Sequence, residues 1–377
     1  MNKKNLAIFT VARSDFGIMQ NIIYRSERDK RFNLYLIIGS AHKSKIFGKT
    51  FNEINSIKIR NKTVFKFGYS KSSKKAISKY FNKTLREAKL FFKKNRIDAA
   101  LILGDRYEML AISIACLNYN IPIVHFCGGS KTLGSLDDVY RYCISKIATV
   151  HLIETDYHKK NLTKIGVKKN VNVVGAPALE TIKKNLINKE KLIKNLKLPF
   201  DPQKKIVVAC FNPETKRDKK YNIKNLKVFL NFLLQLNENL IITYPNADVG
   251  FTDYIKMIKR FLAKKENTKI IKSLGIKNYF SLLKFSSILI GNSSSGIIES
   301  ASFKIPTINL GQRQNGRLVP RNVIHSKFTL KEIRKSFIKA SSKKFISGLK
   351  KIKNPYFKKN TSKNSLDLIY KYLRSSE

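Results

Sequence analysis

Short apolar runs alternate with amphipathic stretches along most of the chain. Leu6–Ala12, Asn33–Gly39, Thr63–Phe67, Ala99–Gly104, Ile121–Phe126 and Val150–Glu154 are rich in Ile, Val, Leu and Phe, and most stop at Gly or a polar residue. Runs of that length and make-up predict buried strands. Between them, Phe16–Arg28, Lys75–Asn95, Arg106–Asn118 and Asp138–Ile147 carry their apolar positions at helical spacing. Strand and helix in alternation predict an open parallel sheet flanked by helices.

A second series follows a polar zone around Lys183–Lys205. Ile206–Phe211, Asn239–Tyr244, Lys269–Ile271, Ile288–Gly291 and Thr307–Leu310 read as strands, and Asn222–Leu236, Asp253–Lys264, Lys277–Lys284 and Ser295–Phe303 as helices. The expected fold class is therefore α/β, with two Rossmann-like doubly wound domains facing a cleft. They span residues 1–195 and 205–350, with a hinge at Leu198–Lys205. The remainder, 351–377, holds a helix at Lys363–Leu373 expected to cross back to the first domain. Open α/β sheets bind ligands at the carboxyl ends of their strands, so the residues just after strands are the informative ones.

Composition changes this picture little. The chain is 43% hydrophobic and 27% charged, which excludes a mostly disordered protein. No apolar run reaches the roughly 20 residues that span a bilayer. The apolar stretch after Lys4 is too short for a signal sequence. A cytoplasmic protein with no membrane partner is expected. Lys and Arg number 75 against 25 Asp and Glu, a formal net charge of +50. The basic residues recur in almost every block of ten, mostly Lys beside Asn and Ile. That is a residue bias spread over a solvated surface, so no specific nucleic-acid partner is expected. Cys116, Cys127, Cys143 and Cys210 are widely spaced, with no CxxC and no paired His cluster. No metal and no cofactor are expected.

After the first strand comes Arg13-Ser14-Asp15-Phe16-Gly17, opening a helix. Ser14 or Asp15 suits a cap. Arg13 at a helix start is disfavoured by the macrodipole unless a phosphate lies there. After the fourth strand comes Gly104-Asp105-Arg106, a carboxylate and a guanidinium at one strand end; Asp105 reads as a cap or as a cleft group. After the fifth comes His125-Phe126-Cys127-Gly128-Gly129-Ser130, then Asp137-Asp138 leading a helix. His125 reads equally as a satisfied core histidine or a catalytic one. In the second half, Tyr244–Gly250, with Asn246, follows a strand. Most specific is Gly291-Asn292-Ser293-Ser294-Ser295-Gly296-Ile297-Ile298-Glu299, a strand entering a Gly/Ser turn that leaves as a helix. Backbone N–H groups and hydroxyls there can cradle a diphosphate, and Glu299 can reach ribose hydroxyls. Gly311–Arg317 follows with two planar donor forks, Arg313 and Arg317. Residues 205–350 thus read as a nucleotide-binding domain.

These segments, in this order, resemble the hydrolysing UDP-N-acetylglucosamine 2-epimerases of sialic and legionaminic acid synthesis. The resemblance runs from about Asn5 to Ile324, and Gly291–Arg317 is its most specific block. It implies a GT-B-like fold of two Rossmann-like domains with a UDP-sugar substrate in the cleft. The implied chemistry removes the proton on carbon 2 while UDP leaves, then hydrates the glycal to the free epimerised sugar. By position, Arg13, Arg106, Asn246, Ser293, Ser294, Glu299 and Arg313 would hold UDP, with Ser295 and Arg317 beside them. Asp105 would be one catalytic carboxylate and Asp137 or Asp138 a second, with His125 and Asn212 near the chemistry. A homo-oligomer, dimer or tetramer, is implied.

The chain departs from the family at several positions. His-x-His-Gly-Gly-Glu or His-x-Glu-Gly-Gly-Glu becomes His125-Phe126-Cys127-Gly128-Gly129-Ser130. A His-Pro pair becomes Asn212-Pro213, and Arg-His after the Asp pair becomes Arg141-Tyr142. The alternatives are a catalytically weakened UDP-sugar-binding protein or a GT-B-like glycosyltransferase.

Overall fold

The computed structural model describes residues 2–43, 50–67, 73–182, 186–246 and 248–375; the side chains of Arg13, Ser14 and Lys74 lie outside that description. The chain forms two compact units. The first comprises Met1–Ser130, Asp137–Thr181 and Tyr356–Glu377; the second comprises Lys131–Leu136 and Ile182–Pro355.

In the first unit, β1 (Lys4–Thr10), α1 (Arg13–Arg28), β2 (Phe32–Ile38), α2 (Phe51–Asn55), β3 (Asn61–Val64), α3 (Lys74–Lys94) and β4 (Ala99–Leu103) come first. Then follow α4 (Tyr107–Asn118), β5 (Ile123–Phe126), α5 (Asp137–Ile147), β6 (Val150–Ile153), α6 (Asp156–Lys164) and β7 (Val171–Val173). The strands make a seven-stranded sheet in the order β3-β2-β1-β4-β5-β6-β7, parallel throughout. Strand periodicity shows in the core. Leu6 and Ile8 pack on one face with Phe16, Met19 and Ile22 of α1. Ala7 and Phe9 pack on the other with Phe91 and Phe92 of α3 and Met109 and Ile112 of α4. Successive side chains point to opposite faces, so a strand covered on both sides must be apolar without interruption.

The second unit contains α7 (Lys189–Leu196), β8 (Ile206–Cys210), α8 (Lys219–Leu234), β9 (Asn239–Thr243), α9 (Phe251–Leu262), β10 (Thr268–Ile271) and α10 (Gly275–Phe285). It continues through β11 (Ile288–Gly291), α11 (Ser295–Ile298), β12 (Thr307–Leu310), β13 (Val323–Ser326), α12 (Leu330–Ser341) and α13 (Lys343–Gly348). Its sheet runs β10-β9-β8-β11-β12-β13, again parallel. Both sheets reverse direction beside their first strand, between β1 and β4 and between β8 and β11. That is where an open α/β sheet leaves room for a ligand.

The last helix, α14 (Thr361–Ser375), belongs to the first unit. Leu366, Ile369 and Leu373 join the α1 core, Asn21 donates to Ser362 at 3.0 Å, and the Thr361 hydroxyl donates to the Val174 carbonyl at 2.9 Å.

Two of the expected helices need correction. The helix expected over Ser295–Phe303 is a single α-turn, α11, followed by a 3-10 turn at Ser300–Phe303. A macrodipole needs several aligned peptides, so an anion there would rest on the hydroxyls and N–H groups of the turn. The helix expected from Asn222 starts at Lys219, because the Asp218 side chain accepts from the Tyr221 N–H and caps it.

Candidate active site

The first unit gathers charge at the carboxyl ends of β1, β4, β5 and β6. Asp15, in the first turn of α1, is buried and its Oδ2 accepts from the N–H groups of Val11 (3.1 Å) and Ala12 (2.9 Å). Burial raises its carboxyl to about 6, against the lowering effect of the Arg106 guanidinium. Arg106, just past β4, is gripped by both oxygens of Glu108, at 3.1 and 3.0 Å. The sign of the Asp15 shift is testable. An acid whose folded pKa lies above its unfolded value costs stability as it ionises, so the penalty appears between about pH 4 and 6. Asp15→Asn keeps an acceptor for the two N–H groups. It should therefore gain about 2–3 kcal/mol relative to wild type between pH 4 and pH 7, read from denaturant midpoints at the two pH values.

Gly104 takes a positive φ of 75° and turns the chain so that Asp105 meets Arg141. Arg141 lies on α5 with only 1% of its side chain exposed, and pairs with Asp105. It also donates to the Ser130 carbonyl at 2.8 Å and to Asp138 at 3.4 Å. One guanidinium thus joins Asp105 and Asp138. Asp137, the other member of the pair, is half-buried in the same helical turn. His125 is fully buried. Its Nε2 bonds the Gly104 carbonyl at 2.8 Å and its Nδ1 the Ser145 hydroxyl at 3.1 Å. Burial lowers it to about 3, so it is a neutral core imidazole that supports the turn carrying Asp105.

Cys127 sits at the end of β5 with φ 65°, a strained value for a residue other than Gly. Burial, then the nearby carboxylates of Glu154 and Asp105, push its thiol well up. Glu154 follows β6, is 3% exposed, and lies 3.4 Å from Nδ1 of His158. Sequence reasoning passes over both Arg141 and Glu154. Glu154 did carry a signal, since it directly follows a strand; Arg141, inside a helix, was marked only by the resemblance, as the retained Arg of the family's Arg-His.

In the second unit the ends of β8 and β11 are laced together. Gly291 has φ 140°, and a Cβ there would lie 1.8 Å from the Cys210 carbonyl oxygen. The Asn212 N–H donates to Asn292 Oδ1 at 2.7 Å, and Asn292 Nδ2 to the Asn212 carbonyl at 2.8 Å. The Asn212 side chain then accepts from the Asn246 N–H at 2.8 Å. Asn212 therefore ties three strand ends, which is the work of an amide rather than a titrating group. Ser293 and Ser294 are half-buried on the turn beyond. Ser295 accepts from the Tyr279 hydroxyl at 2.6 Å, and burial and the Glu299 carboxylate raise that phenol. Arg313 is buried and reaches the Asn292 carbonyl at 3.4 Å. Gln314 reaches the same carbonyl at 2.8 Å and accepts from Arg317 at 2.7 Å. Asn246, Ser293, Ser294, Ser295, Glu299 and Arg313 therefore share one edge of this sheet. Of Arg13 only the backbone is described, at the start of α1.

Two doubly wound parallel units, each with its polar residues gathered where the sheet reverses, define a GT-B-like α/β protein. The sequence signature described as UDP-N-acetylglucosamine 2-epimerase matches residues 25–370. A GDP/UDP-N,N'-diacetylbacillosamine 2-epimerase (hydrolyzing) from Campylobacter jejuni is 36% identical over 360 residues, covering 92% of this chain and 89% of the relative. A UDP-N,N'-diacetylbacillosamine 2-epimerase (hydrolyzing) from Legionella pneumophila is 30% identical over 322 residues, covering 85% and 84%. The crystal structure of UDP-GlcNAc 2-epimerase from Neisseria meningitidis bound to UDP-GlcNAc shares the fold, with a TM-score of 0.82 at 16% identity, over 98% of this chain and 100% of that one. The chain belongs to the UDP-N-acetylglucosamine 2-epimerase family. Among the described residues no helix is long and apolar enough to cross a membrane.

Proposed function

We propose that this protein is a hydrolysing 2-epimerase of a UDP-N-acetylated hexose, UDP-N-acetylglucosamine or a UDP-N,N'-diacetylbacillosamine type of sugar. A base takes the proton from carbon 2 as UDP departs. Water then adds to carbon 1 of the glycal, and carbon 2 is reprotonated from the other face. The observation that carries this reading is the near full-length match to relatives named for that reaction. The Asp105–Arg141–Asp138 cluster supports it, since proton transfer at carbon needs a positioned acid or base. Asp105 acts as a catalytic carboxylate, with Asp138, held on the same guanidinium, as the second and Asp137 beside it. His125 and Asn212 act by holding strand ends.

The UDP moiety rests on Ser293, Ser294, Ser295, Glu299, Arg313, Arg317 and Asn246 of the second unit; Arg13 and Arg106 are the first unit's own candidate anion contacts. The serine and arginine donors among them stabilise the charge that builds on departing diphosphate. The active protein is a cytoplasmic homo-oligomer, dimer or tetramer, and works without a cofactor.

Glu299→Ala and Arg313→Ala should each weaken UDP binding about ten- to a hundredfold, the equivalent of about 1.5–3 kcal/mol for hydrogen bonds involving charge. Titration calorimetry with UDP reads this directly, and unchanged affinity in both variants would remove this edge as the nucleotide site. The weakened binding-protein reading draws on the substitutions at Cys127, Ser130 and Asn212, where the family pattern has titratable groups.

A further inference from the structure

Inversion at carbon 2 needs a proton-handling group for each face of the sugar. Asp105 and Asp138 share the Arg141 guanidinium, so they serve one flank. The next strand ends hold a second set, made of Cys127, Glu154 and His158. Phe126 of β5 pairs with Leu103 of β4 and with Leu152 of β6, so the residues past those ends are neighbours. The loop carrying Cys127 is pressed onto α6: a Cβ at Gly129 would lie 2.4 Å from the His158 carbonyl oxygen, and Asn161 donates to the Gly129 carbonyl at 2.9 Å. That packing holds Cys127 in its left-handed conformation, and strain of this kind collects at functional positions. Glu154, at 3% exposure, is too enclosed to touch a sugar itself. Cys127 is half-buried, its N–H donates to the Leu152 carbonyl at 3.0 Å two residues before Glu154, and the Glu154 carboxylate is among the groups that push its thiol up. The charged and titratable groups facing the pair are Asp105 after β4, Arg141 from α5 and His158 from α6.

Building on the epimerase reading, we propose that Glu154 works through Cys127 as a proton relay: the thiol handles protons at the substrate and the buried carboxylate supplies and receives them. As carbon 2 gives up its proton to sulfur, the thiol's own proton moves to the Glu154 carboxylate. The C–H bond breaks as an S–H bond forms, and the old S–H bond breaks as an O–H bond forms. The C–H electron pair becomes the carbon 1–carbon 2 double bond, and UDP leaves with the electron pair of its bond to carbon 1. On hydration the water oxygen bonds carbon 1, and the proton that water loses passes through the Asp105 carboxylate, on the other flank, to carbon 2; the proton held on Glu154 leaves through the thiol to solvent, which restores the resting pair. The thiol therefore need not ionise in the resting protein. Glu154 is a positioning and relay residue, since it acts only through Cys127.

The test compares Cys127→Ser, Cys127→Ala, Glu154→Gln and the Cys127→Ala/Glu154→Gln double variant. Release of UDP, UDP affinity and thermal unfolding are measured for each. A hydroxyl can still relay, so Cys127→Ser should stay within about tenfold of wild type. Cys127→Ala and Glu154→Gln should each lose about 100-fold or more in turnover, the range of a lost general acid or base. The double variant should lose no more than either, because the two act as one unit. UDP affinity should not move. Wild-type turnover in Cys127→Ala, losses that multiply in the double variant, or a Cys127→Ser as poor as Cys127→Ala would each overturn the relay.

A second arm does not depend on turnover. Peptide-mapped alkylation of Cys127 by iodoacetamide across pH 6–10 reads its protonation. Removing the Glu154 charge should speed the reaction at least about tenfold at pH 8, one pKa unit being tenfold. An unchanged profile in Glu154→Gln would show that thiol and carboxylate do not share a proton and would overturn the pair. If wild type releases no UDP while alkylation behaves as expected, the epimerase reading falls, and the relay's catalytic role falls with it, but the pairing stands.

Discussion

Arg141→Met should be the most damaging single substitution in the first unit. Its side chain is 1% exposed and pairs with Asp105 and Asp138, while its Nη1 also serves the Ser130 carbonyl. Methionine fills a similar volume but leaves two carboxylates and a carbonyl without their donor. Removing one partner of a buried charge pair costs about 3–5 kcal/mol. The lower end applies, because Asp105 keeps 29% of its side chain in solvent and can hydrate. Denaturant unfolding should show a midpoint displaced by that amount. Turnover should be lost even at low temperature, where the variant is still folded, because Asp105 is no longer held. Arg141→Lys would keep the charge but not the fork, and should fall between the two in stability.

Asp105→Asn should have the largest catalytic effect. The amide keeps the size of the carboxyl and can still accept from Arg141, which retains Asp138 and the Ser130 carbonyl. What is lost is a group that can take up a proton. Turnover should fall by about 10²–10⁴-fold, while UDP binds as in wild type, since the nucleotide site proposed above lies on the second unit's residues. Loss of UDP affinity in step with turnover would reassign Asp105 from the chemistry to binding.

Most of the architecture is legible in the sequence, and the exceptions have physical reasons. Strands covered on both faces, such as Ala99–Leu103 and Ile206–Cys210, are apolar without a break and stand out from their surroundings. β7 is three half-buried residues and β13 reads Val-Ile-His-Ser; strands at the margin of a sheet need no continuous apolar run. The strand expected over Thr63–Phe67 lies two residues earlier, at Asn61–Val64, because pairing with β2 from Tyr35 to Ile38 sets its register. The polar Asn61 enters the sheet by donating to Asn33 and to the Leu34 carbonyl.

The site was legible where a residue follows a strand directly. Asp105, Asn212, Asn292 and the Ser293–Ser295 turn all do. The role of Arg141 was not, because apart from the resemblance a helical arginine in a chain this basic has no distinguishing pattern; only the fold brings it under Asp105 and Asp138. The roles of His125 and Asn212 were also hidden. Both follow or end strands as catalytic groups do, but their bonds to Gly104, Ser145, Asn246 and Asn292 exist only once the strands are aligned.

The central claim is that this chain converts a UDP-N-acetylated hexose into UDP and a free sugar inverted at carbon 2. It is tested most directly by incubating the full-length protein in deuterated water with UDP-N-acetylglucosamine and, separately, with UDP-N,N'-diacetylbacillosamine, and following the products by proton NMR. At least one of the two should yield UDP and free sugar in equal amounts, with the sugar inverted at carbon 2 and carrying deuterium there. Absence of UDP from both, or release of a sugar of unchanged configuration with its carbon 2 proton retained, would contradict the account.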